Sequence, residues 1–176
     1  WKKGLRLVTI PTILSVDAFV TEQAGIRNNG QVSYVGKASP DPLVIDYDII
    51  RTAPNALNIA GIGDLLSIHT ACFDWQLAHQ YGRSEYPFSQ QVIDRAFSIL
   101  NEVCEHIDEI RQVTDRGIRS LVEGYMNMNT IALPAGHWRF EEGSEHFLFY
   151  ELEERLRRPF IHGHIVGLGI YLMSRL

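Results

Sequence analysis

The chain carries seven histidines in 176 residues, and the placement of three of them could serve chemistry. His146 follows Gly143-Ser144-Glu145, and His162 and His164 flank Gly163 just after Arg158-Pro159-Phe160-Ile161. Pro159 ends one helical pattern and Gly163 permits a tight backbone, so His162 stands where the last helix begins and its ring can face a pocket. His146 and His162 are separated by about one helix and a turn, which lets two antiparallel elements converge. Asp64, within Ala60-Gly61-Ile62-Gly63-Asp64-Leu65-Leu66-Ser67, is the acidic candidate for a third ligand at the start of another helix. Two imidazoles and one carboxylate leave a coordination position open for a substrate oxygen, as catalytic zinc requires. Each residue also has a plainer role open to it. Asp64 would serve as an N-cap, His146 as a polar residue of a first helical turn, and His162 or His164 as a hydrogen-bonded loop histidine.

The elements that must position these residues fall into two parts. Leu5 to Ile10 and Leu43-Val44-Ile45 are branched apolar runs bounded by Gly and Pro, which predicts strands, and Asn28-Asn29-Gly30 predicts a hairpin turn. From Pro54 onward apolar residues recur three and four apart, over Asp64 to Gln80, Ser89 to Ile107, Asp115 to Leu133, Ser144 to Leu156 and His164 to Arg175. In the second of these, Val92, Ala96, Ile99, Val103 and Ile107 form one stripe that core packing explains. The fold class expected is mainly α, with a small β portion followed by an all-helical portion.

Composition narrows the function. With 45% apolar and 21% charged residues the chain is ordinary globular sequence, one domain or a large piece of two. A net charge of −5 argues against a general nucleic-acid or anionic-membrane surface and leaves room for a local anion pocket. The longest uninterrupted apolar run, Ile165 to Met173, is far below the ~18 residues of a membrane span, and no basic-then-apolar leader opens the chain. Cys72 and Cys104 form no CxxC and read as small core residues of a reducing compartment, so a cytoplasmic protein is expected. A chain that opens on Trp1-Lys2-Lys3 and stops inside an apolar helical pattern reads as a fragment.

Several segments, in order, carry a resemblance. Ile10-Pro11-Thr12-Ile13-Leu14-Ser15-Val16-Asp17-Ala18-Phe19, then Ala53-Pro54, Ala60-Gly61-Ile62-Gly63-Asp64-Leu65-Leu66, Asp74-Trp75, Gly143-Ser144-Glu145-His146 and Arg158-Pro159-Phe160-Ile161-His162-Gly163 resemble the iron-containing alcohol dehydrogenase and dehydroquinate synthase-like superfamily. Within it they are closest to the glycerol-1-phosphate dehydrogenases. The resemblance implies a two-domain enzyme with metal and substrate in the cleft between an α/β dinucleotide-binding domain and a helical domain. Residues 1–53 would be the last part of the first, and residues 54–176 the metal and substrate domain. It places the metal ligands on Asp64, His146 and His162, dinucleotide contacts on Thr12 and Ser15, and a substrate hydroxyl on Asp17. The implied cofactors are NAD(P) and a divalent metal, zinc first with iron or nickel as alternatives. The implied partner is a small polyol or polyol phosphate, with a homo-oligomer compatible and no nucleic acid or membrane span.

Three departures from the family pattern stand out. The family's second histidine, four residues after the first, is here Tyr150, whose hydroxyl could relay a proton or simply pack. The family's His-Gly-Glu is here His162-Gly163-His164, which makes His164 a candidate partner for a ligating ring. The glycine-rich segment that binds the cofactor diphosphate would lie before Pro11, where only ten residues stand. Among the other histidines, His69, with Trp75, reads as core edge, His79 and His106 as solvent-facing, and His137 as a loop residue. The expected activity is metal-dependent, NAD(P)-linked oxidation of a polyol or reduction of its ketone. A dehydroquinate synthase-like lyase and a non-catalytic helical metal-binding module are the alternatives.

Overall fold

The computed structural model describes residues 5–28 and 31–176. A two-stranded antiparallel sheet, β1 (Gln23–Asn28) and β2 (Gln31–Lys37), precedes α1 (Tyr47–Arg51), α2 (Asn55–Leu66), α3 (Ile68–Gln80), α4 (Gln90–Cys104), α5 (Ile107–Arg111), α6 (Asp115–Ala135), α7 (Ser144–Leu156) and α8 (His162–Met173). The class is therefore mainly α with a small sheet, as the periodicity predicts.

Local chemistry sets the helix ends. Ser89 caps α4 by accepting from the Val92 N–H, and Thr114 caps α6 by accepting from the Gly117 N–H. Gly136, at φ 72°, closes α6 in the left-handed conformation that glycine adopts without strain. The buried faces of α4 (Ile93, Ala96, Leu100, Val103) and α6 (Ile118, Leu121, Tyr125, Met128) meet in one core that also takes in Leu65, Ile68 and Trp75. Trp75, expected at the core's edge, is wholly enclosed. His106, expected to face solvent, is half-buried with its Nδ1 covered.

The β portion differs from expectation. Leu5 to Ile10 and Leu43 to Ile45 do not form strands; among the described residues they are joined by one parallel bridge, Thr9 with Leu43, and the Asp41 N–H donates to the Leu7 carbonyl beside it. A branched apolar run becomes a strand only where a neighbour takes its backbone groups and covers a face. Here Pro42 offers no N–H, and Leu5, Val8 and Ile10 are each at least 50% exposed. The sheet forms instead from 23–37, paired Gly25 with Tyr34, Ile26 with Ser33 and Arg27 with Val32. The expected turn residues Asn29 and Gly30 lie outside the described residues.

Asp64 does not start a helix. It lies in the last turn of α2, and the helical stretch around it, Asn55–Gln80, is 26 residues long and holds an 18-residue window of mean hydropathy 1.3. By length and composition that stretch could cross a membrane, but its apolar window is 61% buried against the rest of the fold and it contains Asp64, His69 and Asp74. It is a core element. The last helix begins at His162 rather than His164.

A candidate metal centre

Three helices bring the three candidate ligands together: the end of α2 carries Asp64, the first turn of α7 carries His146, and the first residue of α8 is His162. Glycines make this approach possible. A Cβ at Gly63 would collide with the Gly163 carbonyl, and one at Gly163 with the Ala60 carbonyl, so α2 and α8 cross backbone to backbone directly beside Asp64 and His162. On the other side of α2, a Cβ at Gly61 would strike the carbonyl of Leu14. Asn58, 1% exposed, accepts from the Leu14 N–H and donates to the Ile50 carbonyl, which fixes the 11–20 segment against the same helix.

The donor atoms converge. His162 Nε2 is 3.0 Å from Asp64 Oδ1 and 3.2 Å from His146 Nε2, and His146 Nε2 is 3.4 Å from the same Asp64 oxygen. Asp64 is 3% and His146 4% exposed, while the His162 side chain keeps 17% of its surface open. A tetrahedral ion with bonds of about 2.0–2.1 Å holds its donors roughly 3.3–3.4 Å apart, so the triad has the spacing such an ion imposes.

The surroundings prepare the rings. Glu145, fully buried, accepts from His146 Nδ1 at 2.9 Å, from the Gly143 N–H at 2.6 Å and from the Thr70 hydroxyl. With its proton on Nδ1, the neutral imidazole of His146 turns a bare Nε2 lone pair toward the Asp64 carboxylate and the His162 ring. Three electron pairs facing one another at this range need a cation or a proton between them. Burial alone would raise Asp64, but His162 and His146 hold its carboxyl well below the usual range. Burial would lower His146, yet hydrogen bonds to Asp64 and Glu145 push it up to about 10 when no metal is bound. Burial likewise opposes ionisation of Glu145, and its bonds to His146 and Thr70 outweigh it.

The triad opens on a cleft of about 570 Å³ whose walls include Asp17, Glu141, Glu142, Arg27 and Tyr34. Asp17 donates its N–H to Asp64 Oδ2 at 3.2 Å, leaving Oδ1 for the ion; burial, with Asp64 and Glu142 nearby, pushes the Asp17 carboxyl well above its usual range. Thr12 is exposed and Ser15 half-buried, and neither side chain lines this cleft among the described residues. Tyr150 is not brought to the triad: its hydroxyl meets that of Tyr34 on β2 at 3.1 Å. His164, whose part beside the His162 ring the sequence leaves open, is exposed on α8 and has no side-chain hydrogen bond to His162 or His146 among the described residues. One helical residue separates the pair from each other by two positions, which turns their side chains to opposite faces. The role in holding a ring falls to Glu145 on His146. The sequence signal for it was an acid directly preceding a candidate ligand histidine.

Comparison with known proteins agrees with this geometry. The chain is 34% identical over 176 residues to the glycerol-1-phosphate dehydrogenase [NAD(P)+] of Aeropyrum pernix, with 99% of this chain and 49% of that protein covered. It is 30% identical over 179 residues to the Bacillus subtilis protein of the same name, with 99% and 45% covered. The chain is similar to the glycerol-1-phosphate dehydrogenases. It spans about half the length of the curated relatives it matches. A crystal structure of a probable glycerol dehydrogenase from Sinorhizobium meliloti superposes with a TM-score of 0.70 over 96% of this chain and 49% of that one, at 19% identity, which shows a shared fold. No protein-family model matches the chain.

Proposed function

We propose that this chain carries the metal and substrate site of an NAD(P)-linked polyol-phosphate dehydrogenase, with Asp64, His146 and His162 holding a divalent ion. The observation that carries the reading is the convergence of these three donors, on a ring oriented by Glu145, at the base of a cleft sized for a small molecule. Two nitrogens and one oxygen with a position left open suit zinc, with iron or nickel as alternatives. A divalent ion there would supply Lewis acidity to a substrate oxygen. The chain's own residues do the rest of the placing. Glu145 keeps the His146 Nε2 lone pair free, and the Asp17 N–H aims Asp64. The Asp17 carboxyl faces the cleft where a substrate hydroxyl would lie. Hydride transfer belongs to the nicotinamide cofactor. Residues 1–53 would be the last part of the domain that holds it, with Thr12 and Ser15 as contacts. Both cysteines are free thiols, which fits a reducing, cytoplasmic setting.

The test uses the full-length natural protein, loaded with zinc and assayed for NAD(P)H oxidation with dihydroxyacetone phosphate. Wild type turns over. His162→Ala loses both metal affinity and turnover, because three protein ligands become two, whereas His164→Ala keeps both. Loss of metal in His164→Ala with retention in His162→Ala would overturn the ligand assignment. A metal-replete wild type inert toward polyols and polyol phosphates would overturn the activity.

A further inference from the structure

Helix α7 carries His146 in its first turn, yet the residue at its start cannot cap it. That residue is Gly143, which has no side chain to accept from the first N–H groups. The acceptors come from α3 and from Glu145 instead. Asp74 Oδ2 accepts from the Ser144 N–H at 2.7 Å, where a negative charge also suits the N-terminal end of the helix dipole. Glu145 takes the Gly143 N–H and His146 Nδ1 on one oxygen, and its other oxygen accepts from the Thr70 hydroxyl. Thr70 and Asp74 lie one turn apart on α3 and so share a face. The backbones close up between them: a Cβ at Gly143 would stand 2.7 Å from the Ala71 Cα and 2.8 Å from Asp74 Oδ2. Arg139 spans the same join, donating to the Glu142 carbonyl at 2.8 Å and to the Ala71 carbonyl at 3.5 Å.

Only Ser67 separates α3 from α2, whose last turn holds Asp64. One helical stretch therefore presents one member of the triad directly and grips the start of the helix that presents another. Thr70 is 6% exposed and Glu145 fully buried, so the hydroxyl on that carboxylate has no solvent to replace it. Resting on the metal site proposed above, we propose that Thr70 and Asp74 are positioning residues for His146. Thr70 fixes the carboxylate that orients the ring, and Asp74 fixes the backbone from which α7 sets out. Neither is a donor to the ion; each acts through a group it holds.

The experiment uses the full-length protein and reads zinc affinity by competition with a chromophoric chelator. The variants are Thr70→Val, Thr70→Ser, Asp74→Ala, Glu145→Ala and the double variant Thr70→Val with Glu145→Ala. Thr70→Val keeps the branched shape without the hydroxyl and should bind zinc about 10-fold more weakly, the lower end of what a partner behind a ligand contributes. Thr70→Ser restores the hydroxyl and should bind as wild type does. In the Glu145→Ala background Thr70→Val should change nothing further, because its effect runs through that carboxylate. Asp74→Ala should also weaken zinc binding about 10-fold. Asp74 is only half-buried, so this variant carries the test if Thr70→Val does not fold. Thr70→Val and Asp74→Ala proteins that bind zinc as tightly as wild type overturn the assignment. So does a Thr70→Val loss that Thr70→Ser does not rescue, or one of equal size with and without Glu145. A wild type that binds no zinc overturns the metal site itself, and this assignment with it.

Discussion

Glu145 does for His146 what the triad needs done before any ion arrives: it takes the Nδ1 hydrogen bond, so that Nε2 is the ring nitrogen turned to the ion. Removing that hold should be felt in metal affinity rather than in folding alone. Glu145→Gln is expected to bind zinc about 10- to 100-fold more weakly, measured by competition with a chromophoric chelator. The same titration has a definite pH dependence. His146 is raised to about 10 in the metal-free protein, so near neutral pH it carries a proton that zinc must displace, and affinity should climb by about tenfold per unit as pH rises above neutral. The stability linkage runs the opposite way. The contribution of the raised His146 is complete below its unfolded value near 6.5 and is lost as pH rises through about 10, so with chelator present the unfolding temperature should fall over that window. A zinc affinity independent of pH would contradict the proton displacement.

At the scale of elements, the centre exists because α2 and α8 touch through glycine. Gly63 and Gly163 are both buried, and each would place a Cβ into the partner helix's backbone rather than into a side chain that could move. Gly63→Ala should therefore cost at least the about 1–3 kcal/mol typical of overpacking, read from denaturant midpoints, and weaken zinc binding by shifting His162 from Asp64. A Gly63→Ala protein with unchanged midpoint and metal affinity would show that the crossing is not what sets the ligand spacing. Helical periodicity predicted α4 and α6 closely because each has a polar cap and a broad apolar face. It misplaced the start of the helix containing Asp64, which begins at Asn55 and in which Gly61 and Gly63 act as a contact surface.

At the scale of the whole molecule, the β1–β2 hairpin is a separate wall tied to α7. Arg27 donates to the buried Glu153 at 2.7 Å, which also accepts from the Phe160 N–H at 3.1 Å, and Tyr34 meets Tyr150 one turn earlier on α7. Both ties span more than a hundred residues of chain. Arg27→Met leaves the Glu153 charge enclosed with its arginine gone and should cost about 1–3 kcal/mol, with amide exchange in 23–37 accelerating first. Tyr150→Phe, which removes one solvent-reachable hydrogen bond, should cost about 1 kcal/mol or less and leave metal binding intact. Equal exchange rates in wild type and Arg27→Met would show that the hairpin is held by its own pairing.

The sequence by itself determined the mainly helical class and the identity of Asp64, His146 and His162 as candidates, because periodicity and ligand types are properties of residues and their near neighbours. Only the tertiary structure decided that His162 and not His164 faces the triad, that Glu145 orients His146, and that Leu5 to Ile10 makes no strand. Each of these depends on which backbone lies across a gap from residues distant in the chain, and a linear pattern carries no record of that.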